Sequence, residues 1–229
     1  MSWNKWWGNL FDEKVKKRKK KRKAKPVVEK PVVEKPVPVV EKPKPKLDTV
    51  PLFPTTGRRC EELDYLHPAL RIGVTAALEH CHQEGLMIYV FESYRTPARQ
   101  QKLFDKGRNT PGRKVTNARP FQSFHNYGLA FDLVFDGDDR DGIQWSWEGD
   151  YNTEVIEGDK RSDYQRAGEI FEEYGFEWGA RWRTFKEMPH FQKVFGLQHS
   201  ALKAIYNESG MQAVWDKVSD LERQANLTS

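Results

Sequence analysis

Six prolines between Pro26 and Pro45 decide how little of the start of this chain can fold. From Lys25 to Lys46 the sequence KPVVEKPVVEKPVPVVEKPKPK repeats a five-residue, proline-led unit. Proline has no amide hydrogen to donate and its ring clashes with the preceding turn, so a continuous helix is forbidden and extended polyproline II is favoured. At about 3.1 Å per residue, residues 26–46 reach roughly 65 Å as a semi-rigid spacer. A compact domain is therefore expected only from residue 47 onward.

The residues before the spacer are as unlike a core. In KVKKRKKKRKAK (14–25), ten of twelve residues are basic, and a run of like charge repels itself and stays solvated. Ahead of it, MSWNKWWGNLF places Trp3, Trp6, Trp7 and Leu10 at helical spacing. Indoles at headgroup level beside a polybasic run on anionic lipid supply the two signals that stable surface attachment needs. Residues 1–25 are thus expected to anchor on an anionic membrane surface. The competing explanations are a solvated tail with incidental aromatics, and a salt-sensitive nucleic-acid contact without sequence specificity. The charged stretch follows the short apolar one, and an apolar core of about 7–15 residues is missing, so an ordinary secretory signal is not expected. If the protein works outside the cytoplasm, something else must release it.

Charge separates the same two parts. Residues 1–46 hold 16 Lys+Arg against 5 Asp+Glu, a net of +11; residues 47–229 hold 22 against 28, a net of −6. The folded part is mildly acidic, which argues against specific nucleic-acid binding. No stretch reaches the roughly 18 apolar residues of a membrane-spanning helix. Cys60 and Cys81 are too few for a disulfide framework or a cysteine-rich zinc cluster.

From residue 47 the pattern reads as α+β, a small antiparallel sheet with flanking helices. Leu66, Leu70, Val74, Leu78 and Cys81 form a helical stripe that Pro68 opens and Gly85 ends. LMIYVF (86–91) reads as a buried strand. Thr96 caps a second helix with Pro97 at its first position and Gly107 past its end. GLAFDLVF (128–135) reads as a strand. Ser162 or Asp163 starts a helix that Gly175 stops, and HFQKVF (190–195) reads as a short strand. Residues 197–229 read as two short helices joined near Glu208, Ser209 and Gly210, a packing appendage or a wall-binding element beside a domain spanning 47–196.

Two of the six histidines keep suggestive company. His80 and His82 lie two apart near a helix end, where dipole neutralisation accounts for them, and His67 and His199 sit at helix starts without a ligand pattern. His125, in QSFHNYGLAFD, precedes a strand carrying Asp132. A carboxylate inside an apolar strand is costly unless paired or bound to a metal; backbone amides are the commoner partner. His190, in FKEMPHFQ, follows Glu187 by three residues, and Pro189 puts that glutamate on a turn entering the strand. Two His and one carboxylate leave a tetrahedral zinc one open position for water, and a neighbouring Glu can take a proton from that water. Arg95, in ESYRT at a strand end, can polarise a carbonyl and stabilise an oxyanion.

SYRT (93–96), SFHNYGLAFD (123–132) and EWGARWRTFKEMPHFQ (177–192) together resemble the zinc peptidases of bacterial cell walls. These comprise L-alanyl-D-glutamate endopeptidases, including many phage endolysins, and D-alanyl-D-alanine carboxypeptidases and dipeptidases. The family pattern S-x-H-x-x-G-x-A-x-D is filled by Ser123, His125, Gly128, Ala130 and Asp132, and GRNTPGRKVTNA (107–118) looks most like the L-alanyl-D-glutamate branch. The resemblance implies a hedgehog/D-Ala-D-Ala peptidase-like fold and one zinc ion per chain held by His125, Asp132 and His190. It implies Glu187 as general base, Arg95 as transition-state stabiliser and Ser123 as a substrate-binding residue. Some endopeptidase relatives carry Asp where this chain has Glu187. Trp178 and Trp182 are expected to pack in the core, with a wall-contacting surface as the second role.

The expected function is hydrolysis of the peptidoglycan stem peptide by a monomer, at the L-alanyl-D-glutamate bond, as in endolysin-driven phage lysis. The alternatives are D-alanyl-D-alanine carboxypeptidase activity and, in another class, a non-catalytic membrane-tethered wall-binding protein. DGDDRDG (136–142) resembles a calcium loop only loosely, with Arg140 where a third oxygen ligand would fall, so a solvated loop is expected.

Overall fold

The computed structural model describes residues 50–136, 143–144 and 161–228. The tail expected to bind membrane, the spacer, and residues 137–142 of the acidic stretch lie outside them. The described residues belong to one compact unit, Pro45–Ser229. Among them, no helix is long and apolar enough to cross a membrane.

Among the described residues, four helices flank a sheet of five short strands: α1 (Pro68–Gln83), β1 (Ile88–Glu92), α2 (Pro97–Asp105), β2 (Ala130–Asp136), β3 (Ile143–Gln144), α3 (Asp163–Glu173), β4 (Glu177–Trp178), β5 (His190–Gln192) and α4 (His199–Thr228). The order is β1-β2-β5-β4, with β3 also on β2, and every pairing is antiparallel. The fold is the α+β architecture expected.

Local chemistry explains where the helices begin. His67 caps α1 by accepting the Ala69 amide, with Pro68 at the first position. Thr96 caps α2 through the Arg99 amide. Ser162 and Gln165 form a reciprocal capping box on α3, which satisfies two amides that a helix start leaves without partners. The α1 stripe of Leu70, Val74, Ala77, Leu78 and Cys81 is buried, at the spacing that puts one helical face on a core.

β2 is the central strand and is covered on both faces. Ala130, Phe131, Leu133, Val134 and Phe135 are all fully buried. Phe131 stacks on Phe191 of β5 at 5.7 Å and meets Phe176 edge-on at 5.1 Å. Asp132 is the exception within the strand, its side chain 17% exposed, and the side it opens onto is the site described below.

Residues 197–228 pack onto the rest of the domain. Leu202, Val214, Trp215 and Val218 belong to the same buried cluster as α1 and β2. The Trp215 indole donates to the Tyr127 carbonyl at 3.0 Å, and its own carbonyl lies 3.0 Å from His67 Nε2. The expected join between two helices falls at Gly210, whose φ of 78° and ψ of −173° interrupt the helix.

Candidate metal and catalytic site

Three separate segments converge where β1, β2 and β5 meet. The first is the end of β1 and the residues after it, Ser93 to Thr96. The second is the 3-10 turn Phe124–Tyr127, which leads into β2. The third is the loop through Glu187 that enters β5. Register places Asp132 opposite both Glu92 and His190, so the central strand carries the carboxylate between its neighbours' polar groups. Gly128 makes the turn into β2 possible. Its φ is 70°, and a Cβ there would sit 2.6 Å from the Tyr65 carbonyl oxygen, too close for any side chain.

His125 and His190 each have one ring nitrogen committed away from the centre. His125 Nδ1 lies 2.7 Å from the Ser93 carbonyl, which can only accept, so this nitrogen carries the proton and Nε2 presents a lone pair. Gln192 Nε2 donates to Glu177 at 2.8 Å, which turns Gln192 Oε1 toward His190 Nε2 at 3.1 Å. His190 therefore donates from Nε2 and presents Nδ1. The two lone pairs face each other at 3.2 Å, and Asp132 Oδ1 lies 3.3 Å from both.

Three electron-rich atoms at such separations repel unless a proton or a metal cation lies among them. Tetrahedral zinc with bonds of about 2.0–2.1 Å would hold its ligand atoms about 3.3 Å apart, so the donor set fits in both chemistry and spacing. Among the described residues, His125, Asp132 and His190 are the group of possible metal ligands whose donor atoms gather this closely. The outward hydrogen bonds to Ser93 and Gln192 are the kind that fix tautomer and ring orientation in metal-ligating histidines.

Electrostatics follow the same geometry. Burial alone would raise the Asp132 carboxyl, but His125, His190 and Arg95 outweigh it and hold the group well below the usual carboxylate range. Burial, reinforced by the Arg95 charge, pushes His125 down. Burial also opposes protonation of His190, yet its contact with Asp132 carries it upward. Glu187 is raised, first by burial and then by the Asp132 charge, against the pull of His190 and Arg95.

Glu187 stands at the edge of the triangle, Oε2 3.7 Å from His190 Nδ1, with 29% of its side chain exposed. The loop that carries it is pinned by Trp178, whose indole donates to the Met188 carbonyl at 2.7 Å. Arg95 is buried and tied from three sides: Nε to Glu92 at 2.8 Å, Nη1 to Gln100 at 3.1 Å, and Nη2 to Asp132 Oδ2 at 2.8 Å. By holding Oδ2 it turns Oδ1 to the imidazoles. Nη2 also lies 2.7 Å from Glu92 Oε2, so of the five N–H groups the second one on Nη1 is left for a ligand. All these groups open into a cleft of about 820 Å³ that Ser123 also lines.

The structure thus brings together every site residue anticipated from sequence: Arg95, Ser123, His125, Asp132, Glu187 and His190. His67, His80 and His82 stay apart from it. His199 lines the cleft and stacks on Phe124 at 3.9 Å. The two tryptophans divide: Trp178 is core, whereas Trp182, expected to pack inside, lines the cleft with its ring 5.0 Å from His190. Glu92, Gln100 and Gln192 were not anticipated. Gln192 had a local signal, two residues from His190 and so on the same strand face; Gln100 had none.

The family model for D-alanyl-D-alanine carboxypeptidase matches residues 116–193, which contain the whole His–Asp–His set. Peptidoglycan L-alanyl-D-glutamate endopeptidase CwlK of Bacillus subtilis (strain 168) is 34% identical over 129 residues, 56% of this chain and 74% of that protein. The chain belongs to this peptidase family. Solved structures similar to this family member include the Serratia marcescens L-Ala D-Glu endopeptidase ChiX, at 26% identity and a TM-score of 0.42, covering 59% of this chain and 85% of that one. The LD-carboxypeptidase LdcB is another, at 18% identity and a TM-score of 0.43, covering 74% and 76%.

Proposed function

We propose that this peptidase uses zinc to hydrolyse the peptidoglycan stem peptide between L-alanine and D-glutamate. The observation that carries the proposal is the triangle of His125, Asp132 and His190 lone pairs with Glu187 at its open edge. The CwlK relative supplies the bond. Zinc held by His125, Asp132 and His190 would supply Lewis acidity, to acidify water and polarise the scissile carbonyl.

The protein's own groups do the rest. Glu187 takes a proton from the attacking water on its carboxylate and delivers it to the leaving amine. An uncommitted N–H of Arg95 donates to the carbonyl oxygen as negative charge develops there. Ser93 and Gln192 keep both imidazoles in the tautomer that leaves a lone pair inward. Mass analysis of digested cell wall, with and without chelator, tests the proposal. The expected product is a new amino-terminal D-glutamate that disappears with the metal. Release of D-alanine instead would establish the carboxypeptidase activity for which the matching family model is described, and an undigested wall at saturating zinc would overturn both.

We propose in addition that residues 1–25 bind anionic membrane and that residues 26–46 give the enzyme reach toward the wall, as suits an endolysin-like lytic protein. The Trp-plus-polybasic composition supports this. Full-length protein that fails to float with anionic liposomes would refute it.

A further inference from the structure

The segment between α2 and the Phe124–Tyr127 turn takes no part in the His–Asp–His cluster, yet it is firmly built. The Asp105 carbonyl accepts the amides of Arg108, Asn109 and Thr110 at 2.9, 2.8 and 3.0 Å. Arg108 Nη1 donates to the carbonyls of Phe104 and Thr116 at 2.7 and 2.9 Å, and Nη2 to Asn117 at 3.1 Å. Gln100, which holds Arg95, also donates to the Ala118 carbonyl at 2.7 Å. Gly107 has a φ of 72°, and a Cβ there would lie 2.5 Å from the Lys114 amide nitrogen, so the loop closes tightly on itself beside Lys114.

The clamped loop presents Arg113 and Lys114, both exposed and both lining the cleft. Lys186, next to Glu187, lines the same cleft. None of the three forms an ion pair among the described residues. The carboxylates of the cleft are already engaged: Glu92 by Arg95 and Arg99, Asp132 by Arg95 and the two histidines, and Glu187 beside His190. The described residues carry 20 Lys+Arg against 19 Asp+Glu, so three cations without an ion pair among those residues leave this part of the cleft locally positive. A positive cleft concentrates anionic ligands.

We propose that Arg113, Lys114 and Lys186 form a carboxylate-reading subsite, which selects stem peptides with free carboxyl groups over amidated ones. This rests on the peptidase function proposed above. In a stem peptide the chain continues through the D-glutamate γ-carboxyl, leaving the α-carboxyl on the residue whose nitrogen belongs to the scissile amide. Amidation there removes a charge while hardly changing size, and the same holds for the terminal carboxyl.

The test uses zinc-loaded, full-length Glu187→Gln enzyme, so that peptide is bound without being consumed. Calorimetry measures Kd for N-acetyl-L-Ala-γ-D-Glu-L-Lys and for its analogues amidated at the D-glutamate α-carboxyl or at the terminus. The free peptide should bind about tenfold more tightly than at least one amide, the size expected of a few partly exposed ion pairs. Whichever amide is disfavoured identifies the carboxylate read. The preference should shrink with added salt and fall to about one when Arg113, Lys114 and Lys186 are all replaced by Gln. Equal binding of all three peptides, no binding of any, or a preference that survives the triple substitution overturns the subsite. Wild-type cleavage of the free peptide is scored separately: preferential binding without cleavage at L-Ala–D-Glu would overturn the assigned bond and leave the subsite standing.

Discussion

Glu92 is the residue whose replacement most directly tests how the site is organised. It is 1% exposed, accepts from Arg95 at 2.8 Å through one oxygen, and accepts from Arg99 at 3.0 Å through the other. Glu92→Gln keeps the shape but removes the charge, and it turns an amide N–H toward one of the two guanidinium groups. Breaking a buried pair by removing one partner costs about 3–5 kcal/mol. Arg95 keeps Asp132 at 2.8 Å, so the loss belongs at the low end or below, about 2–3 kcal/mol. In a domain of this size each kcal/mol shifts Tm by about 2–4 °C, which predicts a fall of roughly 5–10 °C for the zinc-loaded protein by differential scanning calorimetry. Arg95, less firmly held, should then orient Asp132 poorly. Such supporting partners are typically worth about 10–100-fold in metal affinity or activity, measurable as kcat/KM on cell-wall peptide. A variant that melts within a degree of wild type and keeps its rate would refute the claim that Glu92 organises Arg95.

Three further outcomes follow from the same geometry. Glu187→Gln should retain zinc by elemental analysis while kcat drops about 10²–10⁴-fold, whereas His125→Ala should lose both metal and turnover; a Glu187→Gln enzyme at the wild-type rate would remove that residue from the mechanism. Gln192→Leu frees the His190 tautomer and should weaken zinc binding about 10–100-fold in a chelator competition, with unchanged affinity counting against the assigned tautomer. Trp215→Ala should cost about 3–5 kcal/mol in urea unfolding, since the helix carrying it is part of the core; a loss under 1 kcal/mol would mean that it is not.

Much of this protein was legible in its chain. Helix starts were marked by Thr96-Pro97 and by Ser162 because capping is settled within a few residues. The pair His125 and Asp132 could be seen because strand and turn impose a spacing. Glu187 and His190 stood out because Pro189 excludes a helix there. The assignment of Trp182 to the core failed because hydrophobicity alone does not say which of two nearby indoles turns inward. Trp178 lies on β4 and stacks on Phe191, while Trp182 follows the turn Gly179–Arg181 and faces the cleft. How residues 197–228 pack was not legible, because Trp215 meets partners far back in the chain, Tyr127 and His67.

Sequence by itself thus determined the main helices, the longer strands and the caps at Thr96 and Ser162, because each depends on neighbours within a few residues. The candidate metal-ligating set came from the resemblance to the family. Only the tertiary structure decided which carbonyl orients His125, which glutamate clamps Arg95, and that the last helix closes the core. The first and last are contacts between residues 32 and 148 positions apart, which no local pattern encodes. Glu92 lies only three residues from Arg95, but the chain leaving β1, and not a regular spacing, brings the two side chains together.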